Sequence, residues 1–333
     1  MTNNLKKISW IKMSSQKYGG NIYGNIVKEI LSKEFNVENK IVKAKYFKWR
    51  YLKPFEWVFN FIRLRGQSDL WVRDSFISVA AFSLAKVQGK RLALIYHIDN
   101  SVFPLILRPF FFLIEKIFYY NLKKTDIIVI ISEYWRKHFL ERGYTNVYKI
   151  CNGFNLSDFE ISNEEVEEFK KQNELTSKPI IYIGNCQKAK GVAEIWRDLK
   201  DLDVFLVTSG EKMVDIPVKN LDLKYKDYLR LIKASSLVIE MHKFKTGWSR
   251  IAHESMLLKK PVIGSGLGGT RELLEGGGQI ICEDLKGLKE KVKSLLNDPK
   301  KREEMGESGY NYAKDFTQER FKREWLELIN KII

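Results

Sequence analysis

The chain has 333 residues, 44% hydrophobic and 29% charged, which suits two α/β domains of about 150 residues each better than one. No run of about 20 apolar residues occurs, so no membrane-spanning helix is expected, and the apolar stretch at 8–11 is too short for a secretory signal. The net charge of +16 is uneven: residues 1–150 hold 26 Lys+Arg against 11 Asp+Glu, whereas 151–333 hold 31 against 30, so the first half faces an anionic partner.

Short β-type runs alternate with helical patterns, which predicts parallel sheets. In the first half, strands are expected at 8–13, 70–72, 92–96, 127–131 and 147–150, with helices at 24–34, 76–87, 103–122 and 134–142. A polar, acidic segment within 151–178 marks the domain boundary. Beyond it, strands are expected at 180–183, 204–207, 237–240, 262–263 and 279–281. Helices lie at 192–199, 226–234, 249–258, 285–296 and 299–314. A final helix at 318–332 places Phe321, Trp325, Leu328 and Ile329 on one face. The domains are then 1–152, 153–315 and a C-terminal helix, 316–333, returning towards the first domain. The scattered Cys151, Cys186 and Cys282 lack CxxC spacing, so neither a disulfide framework nor a zinc site is indicated, and a cytoplasmic location is expected.

The segment with the most chemistry is 246–272, TGWSRIAHESMLLKKPVIGSGLGGTRE. It reads as loop, helix, short strand and a glycine-rich turn opening another helix. Amides of Gly247, Trp248, Ser249 and Arg250 sit at a helix N-terminus, which suits a phosphate. Glu254, one turn further, is placed to accept from the vicinal hydroxyls of a ribose. A plain reading also exists: a helix start, a surface glutamate and a buried strand.

His253–Ile263 followed by Gly268–Glu272 resembles the retaining glycosyltransferase family 4 of the GT-B fold, whose pattern is E-x7-E, A-x-A-x-G-x-P-V-I and G-G-x-x-E. The resemblance implies two Rossmann-like domains facing across a cleft, with a nucleotide-sugar donor held by the second. Glu254 falls on the ribose-binding glutamate, and the glutamate that contacts the donor sugar is replaced by Thr246. Ile181–Cys186 with Lys190-Gly191 is similar to the family's G-R-L-x3-K-G segment. Lys190 takes the position of the diphosphate lysine, and Asn185 that of the arginine. By the same resemblance Gly19 and Gly20 form the N-terminal glycine loop, and His97 lies near the reacting sugar. Arg250, Lys188 and Arg271 are candidates to replace the missing cation.

The family's chemistry needs preorganised cations and amide dipoles for the departing diphosphate, without a protein nucleophile. No metal or other cofactor is implied, because Asp201-Leu202-Asp203 precedes a strand where metal-binding D-x-D motifs follow one. The resemblance therefore implies transfer from a UDP-, GDP- or dTDP-sugar to a glycan or lipid-linked acceptor, with retention, in cell-surface polysaccharide or glycolipid synthesis. A non-catalytic nucleotide-sugar-binding subunit and a nucleotide-sugar epimerase are the alternatives. Segments 46–65 and 103–124 mix cations with aromatics, as in helices lying at an anionic membrane surface, and also suit a buried core edged by lysines. The membrane reading places the protein peripherally at the inner face of the cell membrane. No nucleic-acid-binding motif accompanies the charge.

Overall fold

The computed structural model describes residues 5–12, 19–42, 45–46, 53–74, 76–81, 85–98 and 108–333. The chain divides into two compact units, one comprising Met1–Asn152 with Glu319–Ile333 and the other Gly153–Gln318.

The first unit runs β1 (Lys7–Lys12), α1 (Gly19–Leu31), β2 (Asn36–Ile41), α2 (Lys53–Arg63), β3 (Arg65–Arg73), α3 (Phe76–Ala81), β4 (Lys86–Ile95), α4 (Arg108–Leu122), β5 (Ile127–Ile130), α5 (Glu133–Leu140) and β6 (Val147–Lys149). Its strands form one parallel sheet in the order β2-β1-β3-β4-β5-β6. Strand β5 is buried along its whole length, as expected of a parallel sheet covered on both faces. Phe118 and Leu122 of α4 join Trp135 and Phe139 of α5 in one apolar cluster with Val79 of α3. One expectation is corrected here, and one strand is found where none is expected. The helix read over 76–87 is described as Phe76–Ala81, 82–84 lie outside the described residues, and the residues from Lys86 onward belong to β4 instead. The polar stretch Asn36–Ile41 is a strand at the sheet edge, where its charges discourage pairing with another chain and erase the apolar alternation that would reveal it.

The second unit contains α6 (Asn163–Gln172), β7 (Ile180–Asn185), α7 (Val192–Leu199), β8 (Phe205–Ser209), β9 (Lys219–Leu221), α8 (Tyr225–Ala234), β10 (Leu237–Glu240), α9 (Arg250–Leu257), β11 (Val262–Gly264), α10 (Thr270–Gly276), β12 (Ile280–Ile281), α11 (Leu288–Asn297) and α12 (Pro299–Ala313). The sheet is again parallel, in the order β12-β11-β10-β7-β8-β9. Within the acidic segment expected to hold the domain boundary, α6 forms on a reciprocal capping box between Ser162 and Glu165 and buries Val166 and Phe169. The last helix, α13 (Gln318–Ile332), buries Phe321, Trp325, Leu328 and Ile329, and Trp325 Nε1 donates to the Tyr23 hydroxyl of α1 at 3.1 Å. Among the described residues, no helix is long and apolar enough to cross a membrane.

Candidate active site

In the second unit the chain runs from β7 outward to β8 and β9, then returns to lay β10 on the other side of β7. Such a reversal opens a crevice beyond the carboxyl ends of the two central strands, where ligands bind in open parallel sheets. The turns leaving β7 and β10 meet there.

After β7 comes a short 3₁₀ turn, Lys188–Lys190, closed by Gly191 at φ 72°. A Cβ on Gly191 would stand 2.6 Å from the Met241 carbonyl oxygen, so only glycine allows the two turns to touch. This approach sets Lys190 Nζ 2.6 Å from Nε2 of His242. Glu240, the last residue of β10, brings Oε1 to 2.7 Å from the same nitrogen. Ser249 Oγ donates to that carboxylate oxygen while accepting from the Ala252 amide, so the N-cap of α9 is tied to the end of β10.

Electrostatics fix the charges of this group. Burial pushes the Glu240 carboxyl up, but His242, Lys190 and the Ser249 hydroxyl outweigh it and hold the group below its ordinary value. Burial and the Lys190 charge lower His242 despite Glu240, so the imidazole is neutral near pH 7. Burial likewise lowers Lys190, against the pull of Glu240. Among the described residues, Glu240 Oε2 and His242 Nδ1 are buried without a hydrogen-bond partner.

The adjoining turn of α9 carries a second group. Glu254, 2% exposed, accepts from Arg250 Nη2 at 2.8 Å and from the Tyr225 hydroxyl at 3.2 Å on Oε1, and from the Tyr228 hydroxyl at 2.9 Å on Oε2. Burial first, and the Glu254 charge second, raise the pKa of both tyrosines. The Arg250 guanidinium also lies 4.7 Å from the Phe154 ring centroid, and its Nη1 is buried without a hydrogen-bond partner among the described residues. Asn185 ends β7 in a ring of contacts, its Oδ1 accepting from Tyr182 and Ser209 at 3.1 and 3.0 Å.

Other residues singled out in the sequence have structural partners. The Thr246 hydroxyl bonds to the Leu267 carbonyl at 3.0 Å and to the Thr270 hydroxyl, pinning a parallel bridge to Gly268. Gly247 is buried beside it, and the Trp248 indole turns inward to donate to His253 Nδ1 at 3.1 Å. Arg271 is paired with Glu283 and Glu275, and Lys188 is exposed. In the first unit, His97 follows β4 with an exposed side chain, and Gly19 and Gly20 open α1, with 13–18 outside the described residues. The second unit thus assembles Lys190, Ser249, Arg250 and Glu254 around four residues to which the sequence reading gave no role: Glu240, His242, Tyr225 and Tyr228. A signal for the first two exists, since Glu240-Met241-His242 puts two ionisable groups directly after the apolar run Leu237-Val238-Ile239.

Residues 163–312 match the family described as Glycosyl transferases group 1. An uncharacterized glycosyltransferase of Methanocaldococcus jannaschii is 25% identical over 220 residues, 61% of this chain. The capsular polysaccharide biosynthesis glycosyltransferase CapM of Staphylococcus aureus is 24% identical over 268 residues, 71% of this chain. The matches span 59% and 66% of those two relatives, less than two thirds of their length. Among solved structures, Anabaena HepE in complex with UDP-glucose superposes with a TM-score of 0.78 at 15% identity, covering 98% of this chain and all of that one. That likeness shows the fold, which is GT-B.

Proposed function

We propose, from the match of residues 163–312 to the group 1 glycosyl transferases, that the chain moves a hexose from a nucleoside-diphosphate sugar to a glycan or lipid-linked acceptor, with retention of configuration. Cell-surface polysaccharide or glycolipid synthesis is the setting, at the inner face of the cell membrane. The carrying observation is the assembly of Lys190, His242 and Glu240 where the turns after β7 and β10 meet, with the capped start of α9 alongside.

Breaking the anomeric C–O bond leaves negative charge on the departing diphosphate, and fixed donors aimed at that charge lower the barrier. Lys190 supplies the ammonium. Arg250 contributes the buried guanidinium edge not used by Glu254. Asn185, with its carbonyl oxygen engaged by Tyr182 and Ser209, turns its amide donors away from that ring. Glu254 binds the nucleotide ribose by exchanging the long Tyr225 contact for the sugar hydroxyls. The donor is a UDP-, GDP- or dTDP-sugar, and the presence of UDP-glucose in the HepE complex supports trying UDP-sugars first.

The test is a calorimetric or thermal-shift screen of the full chain against UDP-, GDP- and dTDP-sugars, followed by turnover with the donor that binds. Binding of none of them removes the donor site. A non-catalytic nucleotide-sugar-binding subunit is the second reading, favoured by the commitment of the Thr246 hydroxyl to Leu267 and Thr270. Nucleotide binding without transfer or hydrolysis over a broad acceptor panel would decide for it.

A further inference from the structure

Helix α4 buries one side and leaves the other uncovered. Phe111, Phe118 and Leu122 are buried, whereas Phe112, Leu113, Ile117 and Tyr120 are 58%, 57%, 42% and 62% exposed. At about 100° per residue, those four residues and the exposed Lys116 lie within an arc of about 140°. Lys123 and Lys124, just past the helix end, are exposed on the same side. No carboxylate shares the arc, since Glu115, the helix's one acidic residue, is half-buried on the far side. Four large apolar side chains in water, with Lys116 and no carboxylate in the same arc of the helix, are costly for a surface meant to stay wet.

The lysines are arranged to serve two surroundings. Lys116 Nζ lies 4.6 Å from the Phe112 ring centroid and Lys124 Nζ 4.5 Å from that of Tyr120. In water each ammonium shades the ring beneath it. Against a layer of lipid phosphates the same flexible stems swing outward and release the rings into the acyl boundary. Helix α2 repeats the pattern: Phe59 and Ile62 are exposed, with the Arg63 guanidinium 4.2 Å from the Phe59 ring centroid. Residues 1–150, which contain both helices, hold 26 basic against 11 acidic residues.

We infer that the exposed face of α4 docks on an anionic phospholipid bilayer, inserting Phe112, Leu113, Ile117 and Tyr120 while Lys116, Lys123 and Lys124 contact lipid phosphates. The inference rests on the peripheral location proposed above and adds the surface that produces it. Charge complementarity selects the occupant, because a neutral protein groove would satisfy the rings and leave three ammonium groups unmatched. Each lysine near an anionic leaflet is worth about a fivefold factor in partitioning.

The test is co-sedimentation of the full chain with phosphatidylcholine vesicles, with and without phosphatidylglycerol. Binding is expected only to the anionic vesicles and is lost at about 1 M salt, where the Debye length falls to about 3 Å. K116Q/K123Q/K124Q should weaken it by about a hundredfold, the corresponding triple arginine variant should retain it, and F112S/L113S should weaken it at least tenfold. Equal binding to neutral vesicles, no binding to anionic ones at low salt, or an undiminished glutamine variant overturns the inference. So does concentration-dependent dimerisation of the wild type abolished by F112S/L113S. Thermal shift by nucleotide sugars reads the donor site separately, so a failure there leaves the vesicle result standing.

Discussion

Lys190 Nζ and Glu240 Oε1 converge on one atom, Nε2 of His242, at 2.6 and 2.7 Å. A neutral imidazole nitrogen donates or accepts, but not both, so the two contacts compete. A diphosphate oxygen that accepts from Lys190 ends the competition and leaves Nε2–H donated to Glu240. On the proposed assignment of Lys190, His242 positions the ammonium without touching the donor. Replacing it with phenylalanine lets Lys190 fall onto the Glu240 carboxylate. We expect His242→Phe to weaken nucleotide-sugar binding about tenfold, the cost of one charge-assisted bond, by isothermal titration. An unchanged dissociation constant would show that His242 has no part in presenting Lys190.

Lys190 itself is held at a cost, since burial lowers its pKa below the ordinary lysine value. Removing the charge should therefore separate stability from activity. Lys190→Met is expected to lower turnover about 10²–10³-fold, as loss of a preorganised donor to a developing anion does. The same variant should leave the thermal midpoint unchanged or raised, because the buried ammonium is gone. Full turnover in the methionine variant would move the diphosphate away from this lysine.

Glu254 shows a different balance. Among the described residues its carboxylate has three donors, and the longest contact, at 3.2 Å, comes from Tyr225, which is 44% exposed. On the proposed assignment, a ribose reaches Oε1 by displacing that hydroxyl. Tyr225→Phe removes the competitor and should tighten nucleotide binding or leave it unchanged. Glu254→Gln should weaken binding about tenfold and also destabilise the chain, because Arg250 loses its 2.8 Å partner in a buried setting. The opposite order, with Tyr225→Phe the more damaging, would assign the ribose to the tyrosine.

Gly191 joins the two turns, with φ 72° and no room for a Cβ against the Met241 carbonyl. Gly191→Ala is expected to cost about 1–3 kcal/mol of stability in urea unfolding and to lower donor affinity, since Lys190 moves with the turn. Affinity kept in the face of that destabilisation would argue that Lys190 is placed by His242 alone.

What the sequence could reveal tracks burial. Strand β5 is apolar throughout, and β7 and β10 are apolar up to their last residues, Asn185 and Glu240, because helices cover both faces, so all three stand out unaided. Strands β2 and β9 are at the sheet edges, charged or half-exposed, and carry no such period. Among candidate site residues, Lys190 and Glu254 were marked by short-range motifs. Glu240, His242, Tyr225 and Tyr228 meet them only through the crossover that returns β10 to the side of β7. Tyr228 lies 26 residues from the carboxylate it bonds, and His242 52 residues from Lys190. Pairings at that separation leave no local period in the chain.

Acid should act on the second unit through its buried histidines. His253 is stacked on Phe154 at 4.1 Å, accepts from Trp248 on Nδ1, and bonds the Ala313 carbonyl through Nε2. Burial pushes its pKa down from 6.5 to about 3, against the Ala313 carbonyl, which favours the charged form. Between those values the unfolded state binds the extra proton and the folded state does not. Stability is therefore complete above about pH 6.5 and falls as pH drops towards about 3, by up to about 5 kcal/mol for the full shift. His242, also lowered, acts in the same direction. Hydrogen exchange of the α9 amides reads this locally, since Ser249 and His253 tie that helix to β10 and α12. Protection should decline progressively below about pH 6.5. In His253→Gln, which lacks the titrating ring, protection should start lower at neutral pH and decline less steeply. Parallel slopes in the two proteins would mean that the acid response belongs to carboxylates instead.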